Sequence, residues 1–268
     1  MNIQFFSFKL AFFALSTVLI LGFASCEEDS ALFISPDQQI ELGRQLDSTI
    51  MVSPSEYTVL DATEYPEAYD YLENIFNEIL SSDAVRYDNF PWQIRIIEDD
   101  ETLNAFAAPG GFVYVYTGLI KYLDQEDDLV GVLGHEIAHA DLEHSARALE
   151  RQQGVSILLS VVLGQETARL GQIAAGLAGL QFSRSFETDA DEKSVEYLAD
   201  SPYNCAAARS FFQKLIDEEQ AGGTPEFLST HPNPDNRVEN ITEKAQEINC
   251  DTDPLNPPSY EDFKAMLP

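Results

Sequence analysis

His135-Glu136-Ile137-Ala138-His139 sets two imidazoles four residues apart, with a carboxylate next to the first. On an α-helix, residues four apart lie one turn apart and are rotated by only about 40°. Two rings so placed can hold one Zn²⁺ per chain from the same face. Glu136 falls on the neighbouring face, where a carboxylate can act as base toward a water beside the metal. The chemistry implied is metal-assisted hydrolysis. Zinc with a position left open for substrate needs a third protein ligand. Glu187, within Ser183-Arg184-Ser185-Phe186-Glu187-Thr188-Asp189-Ala190-Asp191, is the candidate, with Asp189 and Glu192 next in line. Glu187 and Asp191 share a helical face. One can therefore bind metal while the other accepts a hydrogen bond from a ligating imidazole and fixes its tautomer. His144, five residues past His139, is rotated by about 140° on a continuous helix, which turns it away from the metal as a structural or solvent-facing residue.

These residues need a scaffold. Leu129-Val130-Gly131-Val132-Leu133-Gly134 leads into the His135 motif and places it on a buried helix. Ser35-Pro36-Asp37-Gln38 reads as a capping box with Pro at the first helical position, opening a helix to about Ile50. After Pro66, Leu72, Ile75, Phe76, Ile79 and Leu80 form one apolar helical face. Gln93-Ile94-Arg95-Ile96 alternates, and Phe112 to Thr117 is β-branched and aromatic. Pro109-Gly110-Gly111 is a turn, so Asn104 to Thr117 reads as a hairpin. From Asp127 onward the pattern is helical. Two short apolar pieces lie between Gly154 and Leu180, neither long enough to span a membrane. They read as a helical hairpin packed on the core, with a lid or a membrane-touching surface as alternatives. The fold expected is α+β: a mainly helical domain with a small β-sheet beside the motif-bearing helix.

The 268 residues suffice for one substantial domain. Fifteen Lys and Arg against 46 Asp and Glu give a net charge of −31, a surface that repels nucleic acid. Residues 1–25 hold one cation, Lys9, and no acid, and the apolar run Leu10 to Ala24 has the length of an export signal. It ends at Phe23-Ala24-Ser25-Cys26, which looks like a lipoprotein cleavage box with Phe23 where Leu is usual. This marks Cys26 for lipidation, an ordinary cleavable signal being the alternative. The Glu27-Glu28-Asp29 that follows resembles the acidic tag of surface-exported lipoproteins. With Cys26 so used, Cys205 and Cys250 remain as an even pair in an oxidising compartment, either bridged or as two buried thiols. A bridge would close a loop of about 46 residues and contribute about 4 kcal/mol. Past Asp251, Pro254, Pro257 and Pro258 suggest a surface extension.

Taken together, the motifs resemble the zincin metallopeptidases of family M48, which include prenyl and heat-shock proteases. Matching pieces are Ser35 to Leu46, Asn104 to Gly111, the His135 motif, Ser183-Arg184 through Glu187 to Asp191, and His231-Pro232 with Arg237 behind it. The resemblance implies zinc ligands His135, His139 and Glu187, with Glu136 as catalytic base. It spans residues 35 to about 240. The organisation expected is a signal peptide at 1–25, a lipidated tether at 26–34, a metallopeptidase domain at 35–250 and a tail at 251–268. The multi-span segments of the prenyl proteases and the helical-repeat domain of some periplasmic relatives have no counterpart in the sequence. His231, in Thr230-His231-Pro232-Asn233-Pro234, is either a surface-loop residue or a second catalytic group. In the latter case it stabilises the oxyanion or occupies zinc's open position at rest. Its removal is expected to lower activity. Arg237 would hold that loop through an acidic partner. The hairpin around Phe106 and Gly110 resembles the zincin edge strand, on which an extended protein or peptide substrate adds. The function expected is a zinc endopeptidase of the bacterial cell envelope, lipid-anchored on the periplasmic or surface face of the outer membrane. Misfolded or envelope proteins would be its substrates. The alternative is a zinc-held binding lipoprotein that does not cut, against which the intact Glu136 argues.

Overall fold

A computed structural model describes residues 32–53, 56–220, 227–232, 236–253 and 259–268. The export segment, Cys26 and the acidic residues after it lie outside the described residues. In chain order the elements are α1 (Pro36–Met51), α2 (Pro66–Leu80), β1 (Gln93–Ile97), β2 (Ala105–Ala108), β3 (Phe112–Tyr116), α3 (Thr117–Tyr122) and α4 (Glu126–Asp141). There follow α5 (His144–Gln153), α6 (Val155–Val162), α7 (Thr167–Gly176), a 3-10 turn (Leu177–Gly179), α8 (Arg184–Leu198), α9 (Ala208–Gln220), α10 (Phe227–Thr230), α11 (Arg237–Ile248) and α12 (Ser259–Ala265).

Local chemistry accounts for where the first elements begin. The Ser35 hydroxyl accepts from Gln38 N–H, and the Gln38 side chain accepts from Ser35 N–H, the reciprocal pair expected of a capping box. The turn between β2 and β3 places Gly110 at φ 79° and Gly111 at φ 92°, a region that favours glycine. The strand order is β1-β3-β2, with β2 antiparallel and β1 parallel to β3. The sheet is therefore small and mixed, and β2 is an edge.

The sheet and α2, α4, α8, α9 and α11 enclose one apolar core, and α1 with α5, α6 and α7 covers the other face of the sheet. Every residue of α4 is buried. A Cβ added at Gly131 would fall 2.2 Å from the Ala208 nitrogen, so the glycine is what lets α9 begin against the α4 backbone.

α6 and α7 pack as a pair on α1, burying Leu158, Val161, Ile173 and Ala174, which agrees with the helical hairpin. Among the described residues no helix is long and apolar enough to cross a membrane. Cys205 and Cys250 are joined as a disulfide. One expectation is overturned. The tail is not simply a surface extension, because α12 buries Tyr260 and Phe263 in the main core. The Tyr260 hydroxyl donates to Ile120 O, and Phe263 stacks on Tyr71. Tyr260, Phe263 and Leu267 recur at helical spacing, and the prolines ahead of them hide the pattern.

Candidate metal centre

His135 and His139 turn both rings to one side of α4, with Nε2 atoms 3.0 Å apart. α8 packs against α4 there and brings Glu187 Oε2 to 3.4 Å from His135 Nε2 and Oε1 to 3.4 Å from His139 Nε2. His231, just past α10, joins them. Its Nδ1 is 3.3 Å from Glu187 Oε1 and 3.4 Å from His135 Nε2. Four buried residues thus each offer one ligand atom, all within 4.8 Å of one another. Ligand atoms about 2.0–2.1 Å from a tetrahedral zinc stand about 3.4 Å apart, so the observed spacings fit that ion. The charge fits as well. Three carboxyl groups (Glu136, Glu187, Asp191) gather around a single guanidinium, Arg237, all buried. A dication relieves such an excess.

Asp191 and Arg237 are the outer supports. Asp191 Oδ1 lies 2.9 Å from His135 Nδ1, the contact expected of a carboxylate that orients a ligand. Arg237 donates to both Asp191 oxygens at 2.7 and 2.8 Å, and its Nη2 is 3.1 Å from Glu187 Oε2. The guanidinium lies over the Phe212 ring at 3.5 Å. The acidic partner expected of Arg237 is therefore Asp191, with Glu187 beside it. Burial opposes ionisation of Glu187, yet His231, Arg237 and hydrogen bonds from His135 and His139 hold its carboxyl well below the usual range. Burial and Arg237 oppose a proton on His135, but Asp191 and Glu187 outweigh them and raise it to about 9. Burial keeps His139 well below its usual range.

Glu136 differs from the other acids. It is fully buried, neither oxygen has a hydrogen-bond partner, and burial pushes its carboxyl above the usual range. The nearest group of opposite character is His231, with Nε2 at 3.5 Å from Oε1. A desolvated carboxylate with unused lone pairs is a proton acceptor waiting for a donor.

His144 is outside the donor set, as its position suggested, but it is neither exposed nor remote. It is buried, and its Nδ1 lies 3.1 Å from His139 Nδ1. The helical rotation does not carry across, because α4 ends at Asp141 and Glu143, at φ 64°, starts a new direction. Burial lowers His144 to about 3, so a neutral ring buttresses the far side of His139. Two aromatic residues were not visible as site residues in the sequence. Phe182 stacks on His139 at 3.9 Å, and Phe186 stacks on His144 at 4.1 Å. Neither titrates, so only tertiary packing reveals them.

The edge strand can be read from its register. Tyr116 N–H donates to Asn104 O, so Ala105 and Ala107 direct their backbone groups away from β3. Two of those groups are engaged: Ala107 O accepts from the Ser145 hydroxyl, and Ala105 N–H donates to the Asn104 side chain.

A family model described as peptidase family M48 matches residues 66–245. The β-barrel assembly-enhancing protease of Yersinia pestis is 30% identical over 260 residues, covering 87% of this chain and 53% of that protein. Its namesake in Escherichia coli is 33% identical over 187 residues, or 65% of this chain and 37% of the relative. The mitochondrial metalloendopeptidase OMA1 of Schizosaccharomyces pombe is 31% identical over 195 residues, covering 70% and 56%. The chain spans about half or less of the length of these relatives.

Proposed function

The chain belongs to peptidase family M48, and from that premise we propose that it is a zinc-dependent endopeptidase of the bacterial cell envelope, cleaving misfolded or envelope proteins. The observation that carries this reading is the buried Glu136 carboxylate, without a hydrogen-bond partner, beside a four-donor cluster. A protein that only bound its partners would have no use for such a base. The named relatives in Yersinia pestis and Escherichia coli, both proteases, support the same reading.

His135, His139 and Glu187 would hold Zn²⁺, which when bound polarises a scissile carbonyl and acidifies water. Glu136 takes the proton of the attacking water and returns it to the leaving amine. Asp191 keeps the His135 ring in register, and Arg237 holds the Asp191 carboxylate in place. His231 either completes the donor set at rest or donates a hydrogen bond to the oxyanion. An extended peptide added along β2 would take up the outward groups of Ala105 and Ala107, replacing the Ser145 contact. At the envelope, the chain is held through a lipid on Cys26.

Glu136→Gln keeps every donor and removes only the base. It should retain zinc by elemental analysis and lose nearly all hydrolysis of casein or a peptide library. Substantial residual turnover would overturn the assignment. Metabolic labelling with a palmitate analogue should mark the parent and leave Cys26→Ser unlabelled and released from the membrane fraction. An unlabelled parent would favour an ordinary signal peptide.

A further inference from the structure

The donors His135, His139, Glu187 and His231 and the base Glu136 are all 0–1% exposed, so a peptide reaches them only if something moves. The structure indicates what that is. A cleft of about 480 Å³ opens to solvent beside the centre, walled by Ala148, Arg151 and Gln152 of α5 and by Gly179, Leu180 and Phe182. Its volume falls in the range of about 300–1,000 Å³ usual for ligand pockets. Phe182 both lines the cleft and stacks on His139, so one aromatic ring separates the cleft from a ligand of the centre. The backbone that carries the ring is weakly tied. Phe182 N–H to Thr230 O and the Gln181 side chain to Ser229 O are both 3.4 Å, near the limit of a hydrogen bond. The lining is mixed: Ala148 and Leu180 are apolar beneath the Phe182 ring, and Gln152, Gln181 and Ser183 add polar surface beside them. Arg151 at the rim, its guanidinium 5.0 Å from the Phe186 ring, is the only charged group in the lining. α5 and the 3-10 turn, which form the two walls, both pack on the edge strand β2.

We propose that this cleft receives a bulky apolar side chain of the bound peptide, and that the incoming side chain displaces Phe182 to open the way to the metal centre. The proposal rests on the peptidase reading above. A chain laid along β2, in place of the α5 and 3-10 contacts that bury that strand, would have the cleft beside it, with Ala148 and Leu180 to receive an aromatic or long aliphatic side chain once Phe182 has moved. Phe182 is a positioning residue here; it covers the centre and takes no part in the chemistry.

Gly179 supplies the test, since a Cβ added there meets nothing within 4 Å. Gly179→Trp should fill the cleft with little strain. Against a peptide library, the full-length parent should prefer a bulky apolar residue at one position next to the cut. Gly179→Trp should lower kcat/KM for those peptides by about 10–10²-fold while changing small-residue peptides by less than about 3-fold. Equal losses on both classes would overturn the pocket. A second readout needs no turnover. A peptide carrying benzoylphenylalanine, bound to the Glu136→Gln protein, should crosslink to residues 148–152 and 179–182. Crosslinks mapped elsewhere overturn the proposal even if Gly179→Trp fails to fold. Phe182→Ala in the Glu136→Gln background should tighten binding of the same peptide by about 3–10-fold, because the closed state is removed. Weaker binding would make the ring part of the floor and not the door. Should the parent cut no peptide at all, the peptidase reading fails, and the crosslinks alone decide whether the cleft binds one.

Discussion

Arg237 offers a quantitative test of the centre. Its side chain is among the largest fully buried groups in the protein, and it faces two carboxylates. It donates to Asp191 at 2.7 and 2.8 Å and lies 3.1 Å from Glu187. Arg237→Met keeps apolar contact with Phe212 but removes the guanidinium from both acids, leaving only imidazoles beside them. Removing one partner of a buried ion pair costs about 3–5 kcal/mol, against about 0–1 for an exposed one. For a chain of this size that is a fall in Tm of about 6–20 °C. Zinc bound at Glu187 would restore part of the lost compensation, so the deficit should be largest with chelator present and smaller when zinc is saturating. Zinc affinity should itself fall about 10–100-fold, because Asp191 no longer holds His135 in place. Arg237→Lys retains the charge without the planar fork and should fall between the two. Urea denaturation with and without chelator, paired with zinc titration, measures both quantities. An Arg237→Met protein within about 1 kcal/mol of the parent, with unchanged zinc affinity, would refute the claim that the guanidinium compensates these acids.

Two further outcomes follow from single groups. His231 places Nδ1 within 3.4 Å of two other donors, which favours its resting role as a fourth donor over the loss of activity expected from sequence. His231→Ala should therefore weaken zinc binding and raise basal cleavage of short peptides; unaltered zinc binding with a fall in turnover of about 10²-fold would restore the oxyanion role. Glu126, in the first turn of α4, is pushed up by burial and by Asp127 to about 7 from an ordinary 4.5. Its stabilising contribution is thus complete below about pH 4.5 and lost as pH rises through 7, so the Tm advantage of Glu126→Gln over the parent should be near zero at pH 4.5 and level off above pH 7.5. A constant difference across that range would show that Glu126 is not so perturbed.

What the sequence disclosed was what local chemistry decides. The capping box at Ser35 and Gln38, the turn at Gly110 and Gly111, and the His135 to His139 spacing each need only neighbouring residues. Glu187 and Asp191 were visible as a pair because both lie on one turn of α8. The hidden features depend on distant segments. The parallel pairing of β1 with β3 joins strands that the β2 hairpin separates. α12 looked like a tail because its apolar spacing follows a proline-rich lead. His144 is the structural residue of the two alternatives, and its closeness to His139 depends on the break at Glu143. Arg237 was legible as a support, but its choice of Asp191 required knowing that α11 packs on α8.

The two groups that close the centre are not independent. Phe182 stacks on His139 from the cleft side, and His231 Nδ1 lies 3.4 Å from His135 Nε2. The short segments that carry them, 180–182 and 229–231, are joined to each other through Phe182 N–H to Thr230 O and Gln181 to Ser229 O. Phe182 also lies 5.5 Å from the His231 ring, and Phe227 stacks on that ring at 4.3 Å. On the pocket proposed above, displacing Phe182 breaks the weak contacts that join its segment to the one that carries His231. Burial gives that movement its consequence. Low local polarity strengthens every charge interaction among Glu136, Glu187, Asp191 and Arg237, and the same seal keeps peptides out until a fitting one arrives. On that proposal, a peptide is selected before any bond is cut.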